Sequence, residues 1–283
     1  MPGVAVVTDS TSSFPPRQAE RATVAVVPLQ VVIDGRSRPE DEVSGLEVAA
    51  ALRAGRRVST SRPTPEVIGA TYARLAAAGY AAVVSVHLSA AVSGTAEAAE
   101  VAAGSAPLPV LVVDSRVLAM ATGFAALTGA EAARRGADAT TVAASVARRA
   151  AASTTYLCVE DLVHLRRGGR ISAAAAVVGT ALAVKPLLTV AGGSIRPHER
   201  VRTTSRALAR LAQLADEAVA AAAGRDHRVD VAVHHLDNPD AAARLASALR
   251  ARVTGEVVVA ELSAVLGVHV GPGTVGVVVS PTV

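Results

Sequence analysis

The sequence predicts an α/β fold in two domains, an N-terminal parallel-sheet α/β domain and a C-terminal mixed-sheet α/β domain. Three observations lead there. The first half alternates short β-branched runs with alanine-rich stretches, the order that builds a parallel sheet covered by helices. Past residue 152 a two-glycine hairpin signal and closely spaced apolar runs break that alternation, which calls for a mixed sheet. The chain has 283 residues, 51% of them hydrophobic, which is more than a single core holds comfortably. The boundary is placed near residue 155, giving domains 1–155 and 156–283.

In the first half the strand signals are 4–8, 23–27, 81–87 and 110–113, each rich in valine. Between them lie predicted helices at 44–54, 65–78, 93–103, 118–135 and 139–151. Thr64-Pro65-Glu66 marks one start sharply, with a capping hydroxyl, a proline in the first turn and an early acid. The second half opens with a strand at 154–159, then short helices at 162–167 and 172–182. Lys185 to Val190 and Ser194 to Val201 flank Gly192-Gly193 and predict a hairpin, because two glycines accept the positive φ of a tight turn. A long helix at 203–222, a strand at 229–234, a helix at 239–252 and strands at 256–261 and 275–280 complete the order.

Composition narrows the possible functions. Five residues are aromatic, so Ala, Val and Leu must fill the core and any cavity wall is smooth. Basic residues are scattered among acidic ones without a stripe or aromatic interleaving, which argues against a nucleic-acid surface despite the formal charge of +4. Cys158 is the sole cysteine, which excludes an intramolecular disulfide and a multi-cysteine metal site and fits a reducing, cytoplasmic setting. The N-terminus lacks the basic flank and apolar core of a signal peptide. Two charge-free stretches, 75–96 and 262–283, are interrupted by Gly, Ser, His and Pro and are not expected to span a bilayer.

Several polar clusters could carry chemistry. Asp9 and Ser10 begin a run of side-chain oxygens at the carboxyl end of the first strand, where open α/β sheets bind ligands and where helix caps also collect. Thr60 and Ser61 sit in a hydroxyl-rich bend stiffened by Pro63 and Pro65. Ser93 precedes Gly94 and Thr95 at a helix start, whose free N–H groups suit an anion, although a serine there can also simply cap the helix. Arg170 follows a two-glycine turn, Arg202 follows the hairpin, and His269 falls in His269-Val270-Gly271-Pro272-Gly273, read as a rigid turn bearing an imidazole that is either structural or functional. No phosphate-binding loop, dinucleotide fingerprint, nucleophile elbow or zinc-protease motif occurs, and the histidines have no metal-ligand spacing. No metal and no cofactor are expected.

Taken in order, Val7 to Ser12, Thr60-Ser61-Arg62-Pro63, Leu88 with Ser93-Gly94-Thr95, Val113-Asp114-Ser115, Gly168 to Ser172, Lys185-Pro186 and His269 to Gly273 resemble the DegV family of fatty-acid-binding proteins along essentially the whole chain. The resemblance implies a non-catalytic carrier holding a long-chain fatty acid in a tunnel between the domains. It places the carboxylate on Thr60 and Ser93, with the N–H groups of Gly94 and Thr95. Asp9, Ser10, Ser61 and Arg170 are implied to line the pocket or support a partner. Arg202 and His269 match family positions that support engagement with a fatty acid kinase, which makes an acyl phosphate for phospholipid synthesis. Loading implies transient contact with a membrane surface. Arg62 stands where relatives often carry glutamine, and Val270 where threonine is common.

Physics is consistent with that implication. Each buried CH₂ of an acyl tail is worth about 0.8 kcal/mol, whereas an ionised carboxylate must find hydrogen bonds to replace its water. Two readings compete: a stand-alone hydrolase or phosphotransferase with His269 as base and Ser93 as nucleophile, and a lipid-sensing regulatory module.

Overall fold

The computed structural model describes residues 3–171, 184–223 and 228–282. The valine-rich runs form a four-stranded parallel sheet in the order β2-β1-β6-β7, from β1 (Val4–Asp9), β2 (Val24–Val27), β6 (Ala82–His87) and β7 (Val110–Asp114). All four were predicted to within a residue at each end. One face is covered by α3 (Pro65–Ala77) and α4 (Thr95–Ala103) through Ile68, Tyr72, Ala98 and Ala99. The other is covered by α5 (Met120–Arg134) and α6 (Ala139–Ala152).

The second sheet has six strands in the order β10-β9-β8-β13-β11-β12. They are β8 (Thr154–Cys158), β9 (Lys185–Ala191), β10 (Ser194–Val201), β11 (Val229–His235), β12 (Val257–Glu261) and β13 (Val275–Pro281). Only β11 and β12 pair in parallel, so the sheet is mixed as predicted. The hairpin turns on Gly192 and Gly193, both at positive φ. α8 (Thr204–Ala223) and α9 (Pro239–Arg250) cover one face through Leu211, Leu214, Leu245 and Leu249 against Val231, Val233, Val275 and Val277.

The opposite face of this sheet packs on α5 and α6: Ala232, Val258 and Val278 share a cluster with Phe124, Ala125, Val142 and Val146. One pair of small-residue helices is thereby buried between two sheets, and alanine and glycine are what let both approach. Arg149 of α6 reaches across to Asp230 at 2.7 Å and to Ser280, all buried. Removing one partner of such a pair typically destabilises by about 3–5 kcal/mol, because the remaining charge is left buried alone.

Three features depart from the sequence reading. A small antiparallel sheet, ordered β4-β3-β5, was not foreseen: β3 (Gln30–Ile33), β4 (Arg36–Pro39) and β5 (Val58–Ser61). Its strands are only four residues long, and two of them, β4 and β5, are mostly polar, which hides the alternation. The segment read as a hydroxyl-rich bend is therefore strand β5. His269 lies in the last turn of a helix, α10 (Ala264–Val270), rather than in the turn that follows it. That helix is apolar all round because both flanks are buried, so it shows no amphipathic period. The short helix α7 (Val163–Arg167) was foreseen, whereas the helix expected at 172–182 lies outside the described residues. The remaining elements are α1 (Gln18–Arg21) and α2 (Gly45–Arg53). Among the described residues no helix is long and apolar enough to cross a membrane.

Candidate functional site

The small sheet and α10 build the site together. β5 pairs with β3, with Thr60 opposite Val31, and the sheet packs through Leu29, Val31 and Ile33 on α2 and on Ala264, Val265 and Val268 of α10. This packing brings Thr60 to His269, 209 residues away: Thr60 Oγ1 lies 2.9 Å from His269 Nε2. His269 Nδ1 is buried and has no hydrogen-bond partner among the described residues. Burial, with the Arg170 charge as a second cause, pushes the imidazole pKa down to about 4, so the ring is neutral at physiological pH. A side chain on Gly168 would collide with Nδ1, so that glycine leaves the room the ring occupies.

A second set of polar groups comes from the turn before α4. The helix begins at Thr95 with Gly94 as its N-cap, and no side chain caps it. Ser93 Oγ lies 2.9 Å from Thr95 Oγ1 rather than on a backbone N–H. The first N–H groups of any helix lack intrahelical acceptors. Arg62 donates to Gly94 O at 3.0 Å and to Glu97 at 2.9 Å, so its charge is balanced at the rim by an exposed acid. Arg170 donates to the Val92 and Gly168 carbonyls, without an acid partner among the described residues.

These groups meet at one cavity of about 210 Å³. Thr60, Ser61, Arg62, Ser93, Gly94, Arg170 and His269 line its polar part. Leu29, Leu88, Leu118, Leu157, Val190, Leu262 and Leu266 supply much of its apolar wall. His234 also lines it, fully buried, with its Nδ1 donating to Ala260 O at 3.2 Å and its Nε2 accepting from Met120 N–H at 3.3 Å. Both nitrogens being committed, and desolvation holding its pKa at about 4, His234 serves as wall. On the far side of Thr60 and His269 opens a second, wider cleft of about 610 Å³, bordered by Arg56, Arg57, His164, Arg167 and Arg170. Thr60, Arg170 and His269 border both spaces.

Other predicted site residues lie elsewhere. Thr95 is fully buried and reaches the cavity only through Ser93. Asp9 is fully buried, accepting from Thr11 N–H, from Leu88 N–H and from His87 Nδ1, each at 3.0–3.1 Å. His87 continues to Ser85 at 2.8 Å and Ser85 to Tyr72 at 2.9 Å. This chain has the contact order of a catalytic triad, yet all four side chains are sealed from solvent; it locks the ends of β1 and β6 beneath the loop leading to Ser93. Ser10 donates to buried Glu40 and accepts from Leu29 N–H at 3.0 Å. Arg202 is exposed just beyond β10 and lines neither space. Sequence reasoning missed Glu40, His234 and the leucine wall. For His234 one signal was available, a polar residue inside an otherwise apolar strand.

A family model described as an uncharacterised protein of the DegV family matches residues 3–282. The chain belongs to the DegV family. A DegV domain-containing protein of Streptomyces coelicolor is 50% identical over 280 residues, covering 98% of each chain. Two DegV proteins of solved structure share the whole architecture. That of Thermus thermophilus, reported for its fatty acid binding, superposes with a TM-score of 0.89 at 31% identity, covering 99% of each chain. DegV of Bacillus subtilis, a fatty acid binding protein, does so with the same score and identity, covering 99% of this chain and 100% of its own. Throughout the DegV fold seen here, strand β5, the α4 turn and α10 are what converge on the cavity.

Proposed function

We propose that this DegV protein binds a long-chain fatty acid in the cavity and presents its carboxylate to a fatty acid kinase. The carrying observation is that Thr60 and His269 sit in the wall between an apolar cavity and a basic cleft. A tail in the first space and a head group at that wall leave the carboxylate facing the cleft, where a second protein can reach it. In the tautomer with its proton on Nε2, the neutral His269 donates to Thr60 Oγ1, freeing the threonine hydroxyl hydrogen for the carboxylate. Ser93 and the first amides of α4 supply further donors, and Arg170 supplies compensating charge. Such donors are what a buried carboxylate requires, since without them its transfer from water is prohibitive. Activation by the kinase feeds phospholipid synthesis in this reading, and a membrane surface is the donor of the acid.

The hydrolase reading draws no support from the geometry. His269 pairs with Thr60 rather than Ser93, Ser93 pairs with Thr95, and no group orients His269 Nδ1 among the described residues. Thr60→Ala and Ser93→Ala are each expected to weaken palmitate binding by about 1–3 kcal/mol, the worth of one charge-assisted hydrogen bond. Titration calorimetry reads this directly, and unchanged affinity in both variants refutes the head-group assignment.

A further inference from the structure

Gly276 is the second residue of β13, between His234 of β11 and Leu157 of β8 in unbroken register. The row continues to Leu188 on one side and Ala260 on the other, so Leu188, Leu157, Gly276, His234 and Ala260 run side by side across five strands. Glycine inside a strand usually marks a bulge, a positive φ or a close approach of another chain segment. None applies at Gly276. Its pairing shows no shift, it is not among the positive-φ glycines, and the nearest atoms a Cβ there would meet are Tyr156 O at 3.5 Å, Leu157 Cβ at 3.6 Å and His234 Cβ at 3.9 Å. Those are ordinary contacts with lateral neighbours, and among the described residues no atom comes closer to that Cβ. Gly276 lines the cavity together with Leu157, His234 and Val278. Backbone and packing therefore tolerate a side chain at this position, and its absence serves only to leave room.

We infer that Gly276 is a specificity-determining residue: its missing side chain opens the apolar floor to the tail of the bound acid and sets how long a tail fits. The inference rests on the proposed fatty acid binding. The row is the tail end because its one polar member, His234, has both nitrogens committed, while the Arg170 cation and the unpartnered His269 Nδ1 gather with Thr60 and Ser93, none of them on this row; among the described residues, the nearest unpartnered hydroxyl on the sheet itself is that of Thr155, two residues from Leu157 along β8. A short acid anchored at those groups leaves the floor uncovered; a long one lies on it.

The test uses the full chain stripped of lipid, with lauric, palmitic and stearic acids titrated into wild type, Gly276→Ala and Gly276→Val. Gly276→Val is expected to lose roughly tenfold or more in affinity for palmitic and stearic acids while lauric acid changes less than about threefold. Gly276→Ala is expected to give the same order with smaller steps, and carries the test if the valine variant fails to fold. Wild-type affinities in both variants overturn the inference, as does an equal loss at every length. A wild type that binds none of the three acids refutes fatty acid binding itself and this inference with it, so the two failures are distinct.

Discussion

His269 and His234 line the cavity as neutral rings, each with its pKa pushed down to about 4 by burial. An unfolded histidine titrates near 6.5, so between those values the unfolded chain binds more protons than the native one. Stability is therefore fully present above about pH 6.5 and is lost as pH falls toward about 4, by an amount on the order of a few kcal/mol. Glu40, its pKa raised by burial, acts in the opposite sense and offsets part of the loss. Urea denaturation across this range is expected to show the midpoint falling with pH; an unchanged midpoint between pH ~7 and pH ~5 contradicts the assignment of both rings. At this scale the sequence was legible where hydroxyls cluster. Thr60, Ser61, Ser93, Gly94, Arg170 and His269 do line one cavity. Asp9 was not legible as an internal lock, because a carboxylate after a strand looks the same whether it faces a ligand or a buried histidine.

Among the elements, α10 matters most, since it carries Val265, Leu266, His269 and Val270 to the cavity. It is held from below. Val265 N–H donates to Glu40 Oε1 at 2.6 Å, Ser10 donates to the other oxygen of the same carboxylate, and Ser263 N–H donates to Ser13 Oγ at 3.0 Å. Glu40 borders neither the cavity nor the cleft, yet Glu40→Ala strands the buried Val265 N–H and the half-buried Ser10 hydroxyl. That change is expected to destabilise by about 1–3 kcal/mol and to weaken fatty acid binding as α10 loosens. Urea denaturation and palmitate titration check the two effects, and a variant normal in both refutes the pinning role. The long elements could be read from sequence because valine runs and alanine helices repeat their period over enough residues. The small sheet could not, although Asp34-Gly35, both at positive φ, forms the turn between β3 and β4 and was the one signal available.

For the molecule as a whole, function depends on what lies between layers. α5 and α6 are sandwiched by two sheets, the Arg149–Asp230 pair ties those layers, and the cavity takes its wall from segments on both sides of residue 155. No local pattern announces such a site, whose Thr60–His269 pair spans 209 residues; only the colinear family motifs brought those positions together before the fold did. The cavity is proposed to hold a fatty acid. The most direct test of that proposal is solvent extraction of the purified protein followed by mass spectrometry of the lipid fraction. Close to one long-chain fatty acid per chain is expected, lost when Thr60 and Ser93 are both replaced by alanine. Protein that carries no stoichiometric fatty acid, even after the producing cells are fed with one, contradicts it.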